Sequence, residues 1–133
     1  MKEKKILVVD DEPDMRTFLS TLLETSGFTA VAAENGIEGV QKAREVKPDL
    51  IILNVMMPKE NGVQMYRQLK ISDQLKQIPV IMISAISKKS FLRCQKILTY
   101  WGSSFPEPEA YIKKPLESDE LIQLVESLLS AET

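Results

Sequence analysis

Short apolar runs alternate along this chain with stretches in which apolar residues recur every three or four positions. Runs that stay apolar at consecutive positions are typical of parallel strands covered on both faces. The stretches between the runs place their apolar residues on one face of a helix. Because the two patterns follow one another repeatedly, the chain predicts five consecutive βα units. The predicted strands are Ile6–Val9, Thr29–Ala33 (an edge strand), Leu50–Leu53, Pro79–Ser84 and Ala110–Lys113.

Residues that start or stop helices mark the ends of several predicted helices. Gly27 stops the first helix, Pro48 follows the second, and Ser118 is expected as the N-cap of the last. The predicted fourth helix lies around Phe91–Trp101. Parallel strands joined by right-handed crossovers form an open, doubly wound sheet with helices on both faces. In an α/β protein of this class, ligands gather at the carboxyl ends of the strands.

Composition excludes several classes of protein. The 133 residues predict one domain, 1–133, and a hydrophobic content of 44% is too high for intrinsic disorder. A net charge of −2 does not suit nucleic acid as a partner. With no histidine and one cysteine, the chain has no Ser-His-Asp triad, phosphohistidine, internal disulfide or zinc site. No apolar run is long enough for a membrane span or a signal peptide, so we expect a cytoplasmic protein.

Polar side chains stand at the ends of the predicted strands. Asp10 and Asp11 follow the first strand, Asn54 the third, Ser84 ends the fourth, and Lys114 follows the fifth. Adjacent carboxylates repel unless a cation joins them, and oxygen ligands with open positions suit magnesium. A hydroxyl and an ammonium are the groups that bind a phosphoryl group. The sequence therefore predicts a magnesium and phosphoryl site at this edge of the sheet.

Four segments occur in a characteristic order and spacing over nearly the whole chain: Val8–Glu12, Pro48–Pro58, Ser84-Ala85 and Tyr111–Pro115. Together they resemble the receiver domain of two-component response regulators, the CheY-like family. The resemblance implies a five-stranded parallel sheet of order 2-1-3-4-5 with five flanking helices. It also implies a role in phosphorelay signalling rather than an enzyme activity of its own.

The same resemblance implies a metal site. Asp11 would bind Mg²⁺ directly, Asp10 would act partly through water, and the backbone carbonyl of Met56 would supply a further ligand. The amide oxygen of Asn54 is able to coordinate as well. With one negative charge fewer than a carboxylate at that position would bring, we expect magnesium to bind more weakly.

Four further residues match positions of known role in the family. Ser84 matches the hydroxyl residue that follows the phosphoryl group, and Lys114 matches the lysine that binds its oxygens. Ser84 and Tyr111 together match the switch pair, in which the aromatic side chain swings inward when the hydroxyl moves. Pro115 matches the proline whose preceding peptide bond is usually cis.

Asn54 is the departure that decides the function. In the family this position holds the aspartate that accepts the phosphoryl group, and a neutral carboxamide is a poor nucleophile where a carboxylate serves. Asp49 cannot replace it, because five residues of strand separate the two by about 16 Å. The chain as written should therefore not be phosphorylated. Two origins fit Asn54: a deliberate block in an ordinary receiver, or a natural receiver-like domain that acts as an interaction module without phosphorylation.

The second departure is a longer connection between Ser84 and Lys114, with extra residues in Leu98–Glu109. This segment lies beside the face that receivers use for partners, near the predicted fourth helix, fifth strand and fifth helix. We expect a protein partner there, and a histidine kinase or phosphotransfer protein for a phosphorylatable form. Since no output region follows Thr133, we expect a stand-alone receiver or one excised from a longer protein.

The rival class is an enzyme on a similar sheet. A haloacid-dehalogenase-type phosphatase needs a second aspartate two residues after the first, where this chain has Glu12. A flavin carrier needs a phosphate loop rich in Ser, Thr and Gly after the first strand, where the acidic run Asp10–Glu12 would repel phosphate instead. Both rivals are therefore disfavoured.

Overall fold

Strands and helices alternate through the described part of the chain, which in the computed structural model comprises residues 4–55, 62–85, 87, 89 and 108–130. These residues form five strands and four helices, close to the predicted bounds. The elements are β1 (Lys5–Val9), α1 (Pro13–Thr25), β2 (Thr29–Ala33), α2 (Gly36–Val46), β3 (Leu50–Asn54), α3 (Gly62–Ile71), β4 (Val80–Ser84), β5 (Ala110–Lys113) and α4 (Ser118–Ser130). The predicted fourth helix around Phe91–Trp101, the carbonyl of Met56 and most of Leu98–Glu109 lie outside the described residues.

The strands form one parallel sheet of order β2-β1-β3-β4-β5, which confirms the predicted order. Every neighbouring pair is parallel, and Val9 lies opposite Leu53 in the pairing of β1 with β3. The order reverses direction at β1, which is first in sequence but second in the sheet. The carboxyl ends of β1, β3 and β4 are therefore neighbours at one edge, where a doubly wound sheet binds ligands.

Alternate residues of each strand enter two separate cores, one on each face of the sheet. In β1, Leu7 and Val9 belong to the core that α2 and α3 cover, whereas Ile6 and Val8 belong to the core that α1 and α4 cover. This alternation explains why the strands are apolar at consecutive positions. β2 and β5, the two outermost strands, are the exceptions, because most of their residues are only half-buried; for β2 this agrees with the prediction of an edge strand.

Local sequence signals fix the helix ends. α1 carries a proline in its first turn, and Gly27 just beyond its end adopts a φ of 95°, a conformation that favours glycine. The Asn35 side chain caps α2 by accepting a hydrogen bond from the Glu38 amide at 2.9 Å. The expected N-cap of α4 is displaced by one residue. Ser118 is its first helical residue, and the carbonyl of Glu117 accepts the hydrogen bond from the Leu121 amide.

The start of α3 packs directly against the end of β3. The Gly62 amide donates to the Val55 carbonyl at 3.1 Å. A Cβ atom at Gly62 would collide with the carbonyl oxygen of Asn54 and lie 2.7 Å from the Cα of Val55. Position 62 therefore requires glycine, since the backbone of residue 54 occupies the space of a side chain.

Candidate functional site

The strand register brings the predicted site residues to one edge of the sheet. Because Val9 pairs with Leu53, Asp10 and Asn54 follow as neighbours at the ends of β1 and β3. Asn54 pairs in turn with Ile83, so that Ser84 stands one residue further along β4. The Lys114 amide donates to the Ser84 carbonyl at 2.7 Å, which ties the end of β5 to the end of β4.

Asp10 is a carboxyl group buried at the floor of this site, with only 1% of its surface exposed. Burial raises the pKa of Asp10 above its ordinary value, because desolvation disfavours the charged form. Three contacts act in the opposite direction and lower that pKa: the Glu12 backbone amide, the positive charge of Lys114 and a hydrogen bond with the Asn54 side chain. The Glu12 amide donates to Asp10 Oδ1 at 2.9 Å. The neighbouring charge of Asp11 adds a small further rise in the pKa.

Asn54 joins the two aspartates. Its side chain is buried, and its Nδ2 donates to Asp11 Oδ1 over 3.4 Å, a long hydrogen bond. The same side chain also hydrogen bonds to Asp10. The carboxamide thus stands between two carboxylates that follow each other in sequence, and it contacts both through hydrogen bonds.

Ser84 and Lys114 stand on the side of the site that β4 and β5 form. Ser84 is fully buried, and Lys114 is half-buried with its charge close enough to Asp10 to lower the pKa of that carboxyl. The Lys114–Pro115 peptide bond is cis, as the resemblance predicts. The structure therefore brings Asp10, Asp11 and Asn54 into contact, with Ser84 and Lys114 on the adjacent strand ends.

Tyr111, the other predicted switch residue, lies within β5 opposite Met82. It is half-buried and packs against the core that α2 and α3 cover. Asp49 lies at the opposite edge of the sheet, where its Oδ2 accepts a hydrogen bond from the Lys5 amide at 2.8 Å. That position agrees with the expectation that Asp49 cannot reach the site.

The residues present suit a hard cation by their chemistry. Asp10, Asp11 and the amide oxygen of Asn54 are oxygen donors, the type that magnesium prefers. Among the residues that the structure describes, no group of three or more His, Cys, Asp and Glu side chains is gathered for a metal. A cation at this edge would therefore rely on two carboxylates supplemented by neutral oxygens. This donor set is compatible with magnesium, which keeps several waters.

Arg16 is a site residue that sequence reasoning missed. It lies in the first turns of α1, half-buried, and its guanidinium donates to the carbonyl oxygen of Asp10 at 2.8 Å. The contact fixes the end of β1 from the side of α1. Its partner is a backbone carbonyl, a group present at every residue, so the sequence carries no direct signal for the pairing.

A doubly wound parallel sheet with paired aspartates, a hydroxyl and a lysine at its carboxyl edge defines a phosphorelay signalling domain as the class of this protein. The chain matches the family described as the response regulator receiver domain over residues 6–126. It is 33% identical over 129 residues to the polar-differentiation response regulator DivK of Brucella anthropi, covering 97% of this chain and 98% of DivK. The chain belongs to the response regulator receiver domain family, and its function is that of a receiver in two-component signalling.

Two further similarities show the range of proteins that carry this domain. The chain is 36% identical over 125 residues to hybrid signal transduction histidine kinase D of Dictyostelium discoideum, covering 94% of this chain but only 8% of that protein. The crystal structure of the receiver domain of a signal transduction histidine kinase from Syntrophus aciditrophicus superposes with a TM-score of 0.81 at 31% identity. That match covers 96% of this chain and 91% of the other.

Receiver domains bind Mg²⁺ at the phosphorylation site and interact with histidine kinases or phosphotransfer proteins. Of the helices within the described ranges, none has the length and apolar character needed to cross a membrane.

Proposed function

We propose that this chain is a receiver domain with Asn54 at the phospho-acceptor position. In this form it takes up no phosphoryl group and has no enzyme activity. The observation that carries the proposal is the position of Asn54, at the end of β3 and hydrogen bonded to both Asp10 and Asp11. Asn54 is the last residue of β3, and Asp10, to which it hydrogen bonds, is close enough to Lys114 for that positive charge to lower its pKa.

The chemistry of residue 54 supports a blocked site. In phosphoryl transfer to an aspartate, a carboxylate oxygen forms a bond to phosphorus while the bond from phosphorus to the donor's leaving oxygen breaks. The nitrogen lone pair of a carboxamide is delocalised, and its oxygen carries no full negative charge. Asn54 therefore lacks the anionic nucleophile, although its neighbours Ser84 and Lys114 retain the groups that would bind phosphoryl oxygens.

The remaining pocket suggests a weakened metal site. We assign Asp11 as the direct ligand, Asp10 as a ligand partly through water, and the Asn54 amide oxygen and Met56 carbonyl as neutral ligands. When bound, magnesium supplies positive charge that offsets the carboxylates and the incoming phosphoryl oxygens. Two carboxylates instead of three lower the affinity of such a site for the ion.

The partner surface proposed for this domain lies around the predicted fourth helix, β5 and the last helix, α4. Tyr111 stands on β5 within this region and is the proposed switch residue together with Ser84. A phosphorylatable form would receive its phosphoryl group from a histidine kinase or a phosphotransfer protein. The proposed location is cytoplasmic, and nucleic acid and membrane are not proposed as direct partners.

Incubation with acetyl phosphate and magnesium, followed by intact-mass measurement, tests the proposal. The chain should gain no mass, whereas Asn54→Asp should gain one phosphoryl group as an acyl phosphate with release of acetate. Asn35→Asp is the matched control, since it adds the same carboxylate at a half-buried helix cap outside the site and should gain nothing. A phosphoryl group mapped to residue 54 of the unaltered chain would refute the blocked site.

A receiver-like domain that acts only as an interaction module is the second candidate. Its support is the same carboxamide, which satisfies both carboxylates in place of accepting a phosphoryl group. Failure of Asn54→Asp to take up phosphate, while the variant keeps its fold, would favour this second function. The gene sequence at position 54 then distinguishes a natural asparagine from a deliberate substitution.

A further inference from the structure

We propose that the NH₂ group of Asn54 stabilises the acidic pocket by bonding both carboxylates, so that the pocket keeps its shape without a divalent cation. The inference rests on the proposed function, because it takes Asn54 as the acceptor position of a receiver. It assigns the residue a positive role, that of a positioning residue, beyond the loss of a nucleophile.

The pocket places two carboxylates next to each other, and this is electrostatically unfavourable. Asp10 and Asp11 are consecutive, and Asp10 is almost completely buried. Two neighbouring carboxylates repel, and burial strengthens the repulsion because the surrounding dielectric is low. The larger cost is the desolvation of Asp10, and the charge of Asp11 adds a smaller one, so groups that donate hydrogen bonds or carry positive charge must offset both.

The structure supplies such groups from three directions. The Glu12 amide donates to Asp10 Oδ1 at 2.9 Å, and Lys114 contributes its charge. The third is Asn54, whose Nδ2 donates to Asp11 Oδ1 over 3.4 Å and whose side chain also bonds Asp10. An amide nitrogen carries two hydrogens, so a single side chain is able to serve both carboxylates.

The buried polar side-chain atoms that the structure describes find hydrogen-bond partners within the protein. Within the ranges that the structure describes, every buried side-chain nitrogen and oxygen has a hydrogen-bond partner. A buried polar atom without a partner would cost free energy and would indicate a site that depends on a ligand. Among the described residues around Asn54, no buried side-chain atom is left without a partner for an ion to supply.

An aspartate at position 54 would replace a hydrogen-bond donor to Asp10 and Asp11 with a further negative charge. It has nearly the same shape as asparagine, but its ionised carboxylate only accepts hydrogen bonds and adds a third negative charge. Both hydrogen bonds from residue 54 would be lost, and repulsion would replace them. Such a pocket gains stability from a cation, since a ligand that binds only the folded state stabilises it by mass action.

The expected consequence is a pocket whose shape depends little on whether its weakened magnesium site is occupied. The strand ends that carry Ser84 and Lys114 keep one arrangement whether or not the cation is present. A protein partner would then meet a constant surface, which suits an interaction module that is not switched by a phosphoryl donor.

Thermal unfolding of the 133-residue chain tests the inference, with about 10 mM MgCl₂ compared against EDTA at matched ionic strength. The midpoint of the unaltered chain should change by less than about 1 °C, whereas that of Asn54→Asp should rise by about 3–8 °C with magnesium. In EDTA, Asn54→Ala should unfold below the unaltered chain, because it loses the donors without adding charge, and Asn54→Asp should unfold lower still. Asn35→Asp should behave like the unaltered chain in both conditions, because aspartate also caps a helix.

Equal magnesium responses of the unaltered chain and Asn54→Asp would overturn the inference. So would an Asn54→Asp variant that is as stable in EDTA as the unaltered chain. Phosphoryl uptake by the same Asn54→Asp sample distinguishes failure of the proposed amide role from failure of the proposed acceptor position. A variant that takes up phosphate while the magnesium responses are equal overturns the role of the amide and leaves the proposed function intact. A variant that responds to magnesium but takes up no phosphate supports the role of the amide and contradicts Asn54 as the acceptor position.

Discussion

Replacing Gly62 by alanine tests how closely the site depends on the contact between α3 and β3. A Cβ atom at this position would collide with the carbonyl oxygen of Asn54 and lie 2.7 Å from the Cα of Val55. Both neighbours are backbone atoms, which cannot move aside by changing a rotamer. Either α3 must retreat or the end of β3 must shift, and a shift of β3 displaces residue 54 relative to Asp10.

The magnitude follows from two opposing effects. Alanine favours a helix over glycine by up to about 1 kcal/mol, which would stabilise the variant. Forcing extra atoms into a packed interior costs about 1–3 kcal/mol, and backbone neighbours place Gly62→Ala at the upper end. The net loss should be about 1–2 kcal/mol in the free energy of unfolding, or a fall of roughly 3–8 °C in Tm.

Gly39→Ala is the matched control, because Gly39 also lies in a helix and a Cβ atom there would also approach a neighbouring residue closely. There the nearest atoms are Sδ and Cε of Met65, at 2.7 Å and 2.8 Å, and both belong to a flexible side chain. Urea denaturation should show a midpoint lowered by roughly 0.5–1 M for Gly62→Ala and a smaller change for Gly39→Ala. The reasoning is refuted if Gly62→Ala is as stable as the unaltered chain, or if Gly39→Ala is the more damaging of the two.

Three smaller predictions follow from single contacts, each measured by urea denaturation. Arg16→Gln should lose about 1 kcal/mol, because it removes a charged donor from the Asp10 carbonyl, and Arg16→Lys should lose less; equal stability of all three would contradict the contact. Lys47→Gly should gain about 1 kcal/mol, since Lys47 ends α2 in the left-handed conformation at a φ of 52°; a loss would show that its side chain matters more than its backbone. Glu109→Ala should lose about 1 kcal/mol with the 2.7 Å hydrogen bond from the Val80 amide, while Glu109→Gln keeps an acceptor and should lose less.

The sequence predicts the sheet well because strand burial leaves a direct trace. All five predicted strands form within a residue or two of their expected bounds, since a strand covered on both faces must be apolar at consecutive positions. The end of α4 nearest the site was less well predicted. A serine before an apolar helix favours an N-cap, but the helix takes Glu117 as the acceptor of its first bond and begins at Ser118.

The site could be located from the sequence, but its contacts could not. The rule that ligands gather at strand ends, together with the resemblance, places Asp10, Asp11 and Asn54 at one edge, and the register confirms their proximity. The contact of Arg16 with a backbone carbonyl and the collision that requires Gly62 depend on distances that no residue pattern encodes. The direction in which Asn54 donates also depends on geometry, because an amide is both donor and acceptor.

Under the proposed function, the near-identity in shape of asparagine and aspartate explains how this chain keeps a receiver fold without taking up a phosphoryl group. Packing constrains volume, and asparagine and aspartate have nearly the same volume, so either residue at position 54 is compatible with the same arrangement of strands and helices. The two side chains differ in charge, because a carboxamide is a poor nucleophile but donates hydrogen bonds, as Asn54 does toward Asp10 and Asp11. A receiver fold is therefore not by itself evidence of phosphoryl transfer, and by our proposal the chemistry of the one side chain at the end of β3 determines whether transfer occurs.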